Sequence, residues 1–508
     1  MDHYSGLVRS TPEITLPLRL DADAAVPLPA QVASQLRTLI ADAVVAPGEA
    51  VPSSRALATH LQVSRGTVVA AYDQLLAEGY LSATPGGSTT VNPQLRRVLP
   101  GPPRPPRPAP LQPLPRLDLR PGRPWTRQLV SPAWKAAWRD AASSPVDEPV
   151  PPLGLSALRS AWTDHLRRMR AVVRDPGQIA VTAGGREGLA LLLTALGDRL
   201  DPGRQNEQVS TGLTGGIGPV DSHPPRGTTG ERRPLRVGVE EPGYPSLRRV
   251  PARLGASVVP FPVDDRGLQT DDLPTGLAAP DVLLVTPSHQ YPLGGSLPVD
   301  RRQALLEWAR ANRVVVIEDD YDSELRYTSG PLPALAALDD PADGRVVLLG
   351  TLSKILTPAL AVGFLALPDW LVPDVEATRH DLGQPVGLVA QRAVAGYLAS
   401  GALRLHTQRM RNRYRRRRAQ VVAALADVPG LHVYPMDGGL HAVVESDRPE
   451  AEVVAELAAA GVWVSPLSQY WSGSGTRQGI VFGFGSVNSE DLDRGLALIA
   501  AAVNPEPS

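Results

Sequence analysis

The sequence contains no cysteine and has only two lysines, Lys135 and Lys354. The lack of cysteine excludes disulfides and thiolate metal sites. Lys and Arg together number 51, so subtracting the two lysines leaves 49 arginines. An amine can condense with an aldehyde, whereas a guanidinium cannot. A lysine retained in such a chain is therefore a candidate for imine chemistry, with a surface ammonium as the alternative.

Long hydrophobic runs are also absent, and none approaches the roughly 18 residues that a membrane span needs. The first ten residues, MDHYSGLVRS, lack the apolar centre of a signal peptide. The nine histidines show no metal-binding spacing, so we expect no metal. The formal net charge of −1 gives no overall field that would attract nucleic acid. These absences favour a cytoplasmic protein without a membrane partner.

Proline divides the chain into two unequal parts. A chain of 508 residues is too long for one hydrophobic core, and residues 93–117 include the run PGPPRPPRPAPLQPLP. Proline this dense is typical of a semi-rigid linker, with a partner-docking segment as the alternative. The sequence predicts a small domain at 15–92 and a large one at 118–505. Residues 202–234 lack periodicity, and we expect a disordered insertion there.

The small domain has the pattern of three helices followed by a hairpin. Ser53 or Ser54 can cap the second helix, Ser64 the third, and Gly79 can end it. This order predicts a winged helix-turn-helix, whose third helix enters the major groove of double-stranded DNA. Residues 1–91 nevertheless hold five arginines against eight acidic residues, which leaves a protein-interaction domain as the alternative.

The run PSSRALATHLQVSRGTVVAAYDQLLAEGYL resembles the DNA-binding domain of GntR-type bacterial regulators at almost every position. The resemblance implies that four residues contact the operator, namely Arg55, Ser64, Arg65 and Thr67.

In the large domain, short apolar runs such as DVLLVTPS, RVVVIEDD and RVVLLGTLSK alternate with helical patterns. Such alternation predicts an α/β fold with a mostly parallel sheet and helices on both faces. Ligands bind at the carboxyl ends of such strands. Polar or glycine residues follow several of the predicted strands: Lys354, Asp319, Tyr321, Tyr244, Gly184, Gly185 and Arg186.

Each of these groups is common in surface turns, but together they match pyridoxal 5′-phosphate. A helix N-terminus can take the phosphate, and a carboxylate can keep the pyridine nitrogen protonated. A phenol can bond the ring hydroxyl, an aromatic face can stack on the ring, and lysine can form the imine.

The stretches VTAGGREGL, EEPGYP, TPSHQYPLGG, VIEDDYDSELRY and GTLSKILTPAL are similar to the fold-type-I aminotransferase domain, which includes a small C-terminal α+β subdomain. The whole chain resembles MocR/GabR-type transcriptional regulators. The resemblance implies that Lys354 is the catalytic residue and carries the internal aldimine. It implies a pyridine-nitrogen partner, a ring-hydroxyl partner and a stacking ring, namely Asp319, Tyr321 and Tyr244. It further implies a phosphate site from Thr351, Ser353 and the amides around Gly185, and a head-to-tail homodimer that responds to an amine, an amino acid or the cofactor itself.

Two positions depart from the family pattern. Ala361 stands where the family commonly has a phosphate-binding arginine, and Arg186 is our candidate to replace it. Val481 stands where aminotransferases grip the substrate carboxylate with arginine, and Ser246 offers no charge either. These departures favour a sensor with little or no transaminase activity. The alternatives are an active aminotransferase with an auxiliary DNA-binding domain and a regulator that no longer binds the cofactor.

The run RMRNRYRRRR places Arg409, Arg413 and Arg417 at helical spacing. We interpret them as a solvated helix face, with contact to bent DNA as the alternative.

Overall fold

The computed structural model describes residues 16–84, 88–95, 116–145, 147, 149–199, 233–327, 333–473 and 477–504. The chain divides into two units, Met1–Gln112 and Pro113–Ser508. Most of the predicted linker at 93–117 and of the predicted insertion at 202–234 lies outside the described residues, so these boundaries stay predictions. Among the described residues, no helix has the length and apolarity to cross a membrane.

The first unit has the predicted winged helix-turn-helix order. It contains α1 (Leu28–Ala41), α2 (Ser54–Leu61), α3 (Arg65–Ala77) and the antiparallel strands β1 (Leu81–Ala83) and β2 (Thr89–Val91). Ser53 caps α2 by accepting from the amide of Ala56 at 3.2 Å, and Ser64 caps α3 by accepting from the amide of Thr67 at 3.1 Å. Gly79 follows α3 with a φ of +77°, which suits glycine.

Apolar residues at helical spacing hold this unit together. Val32 and Leu36 of α1, Leu57 of α2, and Val68 and Leu75 of α3 are all buried in one core. Because the inner faces of the helices are used for this packing, the outer face of α3 remains for an external partner.

An eight-stranded sheet is the framework of the second unit. Its strands are β4 (Ile179–Thr182), β5 (Arg236–Glu241), β6 (Ser257–Asp264), β7 (Gly267–Leu268), β8 (Val282–Val285), β9 (Val315–Asp320), β10 (Val346–Thr351) and β11 (Gly363–Ala366). The order is β4-β11-β10-β9-β8-β5-β6-β7. The five strands from β10 to β6 are parallel, whereas β11 and β7 pair antiparallel with their neighbours.

Helices cover both faces of the sheet. They are α4 (Pro132–Ala142), α5 (Ser156–Arg170), α6 (Gly185–Arg199), α7 (Pro245–Arg253), α8 (Val299–Asn312), α9 (Val372–Leu382), α10 (Leu388–Ala399) and α11 (Ala402–Leu425). Val316 and Leu348 pack with α5, α8 and α10, whereas the next residues, Ile317 and Leu349, pack with α6 and α9. The predicted two-sided burial is confirmed, and the carboxyl ends of the central strands form one edge.

A smaller α+β subdomain ends the chain, as expected. The strands β12 (Leu431–Val433), β13 (His441–Ser446), β16 (Gly479–Gly483) and β15 (Ser465–Pro466) form an antiparallel sheet, with α12 (Glu450–Ala459) and α13 (Ser489–Val503) packed on it. The short strand β14 (Val462–Trp463) pairs in parallel with β3 (Leu117–Asp118). The second unit therefore has ordered structure from the end of the predicted linker.

The interpretation of three α11 arginines as one solvated face is wrong for two of them. Arg409 is exposed, but the Arg413 guanidinium lies 3.5 Å from the Trp125 ring centroid. Arg417 is buried, and it donates to the carbonyl oxygen of Val487 at 3.4 Å. Long arginine stems cover apolar surface readily, so charge spacing alone did not reveal which of them are inside.

Candidate cofactor site and DNA-binding surface

Lys354 lies just beyond the carboxyl end of β10, at the edge where the parallel strands end. Its Nζ donates to the carbonyl oxygen of Gly122 at 3.1 Å and lies 5.6 Å from the ring centroid of Tyr244. Tyr244 precedes α7 and follows β5, two strands away in the sheet. The fold therefore brings together an amine and an aromatic ring that are 110 positions apart in the chain.

Asp319 is buried at the end of β9. Burial raises the pKa of its carboxyl group to about 8, and the charges of Asp320, Asp322 and Glu240 add to the rise while Lys354 opposes it. A carboxylate in such surroundings is stabilised by a cation. The protonated ring nitrogen of pyridoxal phosphate is a cation of this kind, so the buried carboxylate fits the predicted cofactor.

Two hydroxyl groups lie beside the start of α6. Gly184 has a φ of +91°, and a Cβ built on it would lie 3.7 Å from Thr351 Oγ1 and 3.9 Å from Ser353 Oγ. Thr351 Oγ1 donates to Ser353 Oγ at 2.9 Å, and α6 begins at Gly185. Hydroxyl groups next to a helix N-terminus form an anion site, which fits a phosphate.

The phosphate end contains one candidate cation in the place of the family arginine. Ala361 is exposed with a φ of +49°, and Arg186 is the second residue of α6. Arg186 is exposed and forms no hydrogen bond or ion pair within the part of the chain that the structure describes. Its guanidinium is therefore available for an anion.

We expect Arg186→Ala to weaken cofactor binding about tenfold, because a hydrogen bond to a charged group contributes about 1.5–3 kcal/mol and exposure reduces it. Adding Ala361→Arg to that variant should restore the affinity by supplying the family contact. Titration of pyridoxal phosphate, followed by absorbance, measures both effects. An unchanged affinity of Arg186→Ala would show that Arg186 does not bind the phosphate.

His289 and Asp322 are site residues that the sequence analysis missed. The Tyr321 hydroxyl lies 3.0 Å from His289 Nδ1 and donates to the His289 carbonyl oxygen at 3.0 Å. His289 Nδ1 also lies 3.0 and 3.1 Å from the two carboxylate oxygens of Asp322. All three side chains are buried. The signal was present, since His289 lies in the TPSHQYPLGG stretch, but spacing could not place it next to Tyr321.

Val481 lies in an apolar and phenolic cluster rather than a charged pocket. It is fully buried with Tyr291, Tyr321 and Tyr470, and Tyr244 packs against the same group. The Tyr291 ring meets those of Tyr244 and Tyr321 edge-on, with centroids 5.2 and 5.5 Å apart. The place where an aminotransferase grips a carboxylate is therefore lined by rings and aliphatic groups.

In the first unit, the four predicted DNA-contacting residues lie at the starts of α2 and α3. Arg55 is exposed in the first turn of α2, and Arg65 is exposed at the start of α3. Arg65 Nε donates to Ser54 Oγ at 3.3 Å, which links the two helix starts. Thr67 is half-buried, and its hydroxyl lies 2.9 Å from the hydroxyl of Ser64. Ser64 and Thr67 thus order the helix start, while the two arginines face outward.

Two family models match the chain. Residues 28–91 match bacterial regulatory proteins of the gntR family, and residues 231–480 match aminotransferase class I and II.

Similar proteins include whole-length regulators. The HTH-type pyridoxine biosynthesis transcriptional regulator PdxR of Corynebacterium glutamicum is 46% identical over 96% of this chain and 99% of its own. The probable rhizopine catabolism regulatory protein MocR of Rhizobium meliloti is 29% identical over 96% of this chain and 95% of its own. Among solved structures, a Pyrococcus horikoshii kynurenine aminotransferase is 20% identical, with a TM-score of 0.63 over 76% of this chain and 90% of that one. The structural likeness shows the fold of the second unit.

Proposed function

The chain belongs to the MocR-type family of transcriptional regulators, and we propose that it senses pyridoxal phosphate and adjusts the transcription of genes that supply this cofactor. Both parts that such a regulator needs are present, a gntR-type DNA-binding domain and an aminotransferase-like domain. The printed name of the similar Corynebacterium glutamicum protein, a pyridoxine biosynthesis regulator, supports this choice of genes.

The observation that carries the choice of ligand is the burial of Val481 among Tyr291, Tyr321 and Tyr470. An amino-acid ligand brings a carboxylate, and burying a carboxylate without a cation is costly. Pyridoxal phosphate brings its charge at the phosphate and the ring nitrogen instead, where hydroxyl groups, a helix start and Asp319 are available. The site therefore favours the cofactor over an amino acid as the signal.

The roles we assign follow the positions of the side chains. When bound, pyridoxal phosphate supplies an aldehyde and an electron-withdrawing ring. Lys354 provides the amine for covalent attachment, Asp319 pairs with the ring nitrogen, and Tyr321 bonds the ring hydroxyl. Tyr244, whose ring lies near Lys354 Nζ, covers the ring face. The phosphate is held by Thr351, Ser353, the amides of Gly184 and Gly185, and Arg186.

The protein acts in the cytoplasm as a homodimer in this proposal, with the head-to-tail arrangement of its family. Two copies of α3 then meet two half-sites of a double-stranded operator. A ligand changes operator affinity only if it binds one arrangement of the dimer more tightly than the other. For a tenfold change in DNA affinity the required difference is about 1.4 kcal/mol.

The test uses full-length protein and a duplex selected from a randomised library by that protein. We expect pyridoxal phosphate to change the affinity for this duplex at least about tenfold, a typical coupling between two sites. Fluorescence anisotropy measures the affinity with and without the cofactor. Lys354→Ala should lose the response but keep the basal DNA affinity, because Lys354 lies in the other unit.

Other outcomes identify the alternatives. A response to an amine or amino acid, and none to pyridoxal phosphate alone, would replace the cofactor by that compound as the signal. Steady turnover of an amino donor and a keto acceptor would indicate an active aminotransferase. A DNA affinity that follows neither would leave a regulator whose second domain has lost its ligand.

A further inference from the structure

We propose that His289 and Asp322 form a positioning pair that keeps the Tyr321 hydroxyl a hydrogen-bond donor toward the ring oxygen of the cofactor. The inference deepens the proposed function and rests on it, since it assumes that pyridoxal phosphate binds beside Tyr321. No substrate contact is assigned to either residue, so both act through Tyr321.

The geometry of the pair is that of a shared proton. His289 Nδ1 lies 3.0 Å and 3.1 Å from the two carboxylate oxygens of Asp322 and 3.0 Å from the Tyr321 hydroxyl oxygen. His289 is 6% and Asp322 3% exposed, so water does not compete for these contacts. The rings of His289 and Tyr321 are stacked, with an interplanar angle of 22°. The three groups are therefore held in one arrangement.

The carboxylate decides where the imidazole proton sits. A carboxylate accepts hydrogen bonds but does not donate them, so Asp322 fixes the tautomer of His289 with the proton on Nδ1. A nitrogen that carries a proton cannot accept one from Tyr321. The Tyr321 proton is then left for the His289 carbonyl oxygen, 3.0 Å away, or for an oxygen of the ligand.

The neighbouring titratable groups do not take over this role. Burial lowers the pKa of His441 to about 4, and its Nε2 donates to the carbonyl oxygen of Pro292 at 3.0 Å, so this ring is neutral. Burial raises the pKa of Tyr291 well above its usual value, which keeps that phenol protonated. Arg326, which lines a small cavity with His289 and Asp322, is paired with Asp437 at 3.4 Å. On the cofactor side the facing groups are Lys354, Asp319, Tyr244 and Tyr321.

A donor aimed at the ring oxygen stabilises the ionised form of that oxygen, as any hydrogen bond to a charged form does. Removing the donor therefore raises the pH at which the bound cofactor changes its absorption. Asparagine at position 322 offers an amide that donates to Nδ1, which moves the imidazole proton to Nε2. Tyr321 can then donate to Nδ1 instead of the ligand.

The experiment is a pH titration of the visible spectrum of the protein loaded with pyridoxal phosphate. We expect Asp322→Asn, His289→Gln and Tyr321→Phe each to raise the midpoint by roughly one unit, a tenfold change in proton affinity. Ser323→Ala is the matched control, because Ser323 is also buried and adjoins Asp322. The double variant Asp322→Asn/Tyr321→Phe should show no larger rise than Tyr321→Phe alone.

Two results would overturn the inference while leaving the proposed function intact. One is a wild-type midpoint in Asp322→Asn and His289→Gln; the other is a shift from Asp322→Asn that persists in full in the Tyr321→Phe background. A purely structural defect would move the thermal midpoint and the amount of cofactor bound without moving the titration midpoint, and it would also overturn the inference. Absence of a lysine-dependent band in the wild type would overturn the proposed function together with this inference.

Discussion

Replacing Lys354 by alanine abolishes the visible absorption that pyridoxal phosphate acquires on covalent attachment, and replacing Lys135 leaves it unchanged. This is the expected result, because only these two lysines are present in the chain. Lys354 Nζ lies 5.6 Å from the Tyr244 ring centroid at the edge of the sheet, whereas Lys135 is exposed on α4. The change should be from one equivalent of attached cofactor to none, measured by absorbance.

Lys135→Ala is therefore a control with the same chemical change at another position. Borohydride reduction followed by peptide mass analysis should place the cofactor on the peptide that contains Lys354. A band that survives in Lys354→Ala and disappears in Lys135→Ala would refute the assignment. A wild-type protein without any such band would mean that Lys354 was retained for another reason and that the second unit binds something else.

The sequence predicted those features of the fold that depend on local periodicity. The alternation of apolar runs and helices indicated a two-sided parallel sheet, and Val316 and Ile317 do pack on its opposite faces. Side chains that follow parallel strands meet at one edge whatever their separation in the chain. Lys354, Asp319 and Tyr244 were predicted together for that reason, and the structure places them there.

What the sequence did not reveal depends on contacts across loops. His289 precedes a turn, and its distance to Tyr321 is set by how that turn packs against β9 and not by spacing. Gly122 accepts from Lys354 although it lies 232 residues earlier, in a segment without a motif. Arg413 and Arg417 share a charge pattern with the exposed Arg409, but their burial depends on Trp125 and Val487. Long-range packing decides each case.

Arg65→Ala should lower the affinity for the selected duplex by about 1–3 kcal/mol for each half-site and relax the preference for one base pair. Arg65 is held through its Nε by Ser54 Oγ at 3.3 Å, which keeps Nη1 and Nη2 for a partner. Two parallel N–H donors match O6 and N7 of guanine. With two copies of α3 on a dimer the loss is roughly 2–6 kcal/mol, large enough to abolish binding at protein concentrations that saturate the wild type.

Arg55→Ala separates reading a base from holding a phosphate. Arg55 lies in the first turn of α2, where a helix start favours a phosphate, so its loss should weaken binding about equally for all sequences and reduce the salt slope by about one per contact. Arg37→Ala is the control, because Arg37 pairs with Glu78 at 2.8 Å at the far end of α3. If Arg65→Ala weakens all sequences equally, Arg65 holds phosphate and the specificity must come from other residues of the α3 surface. If Arg37→Ala weakens binding as much as Arg65→Ala, the loss reflects the stability of the domain and not a contact with DNA.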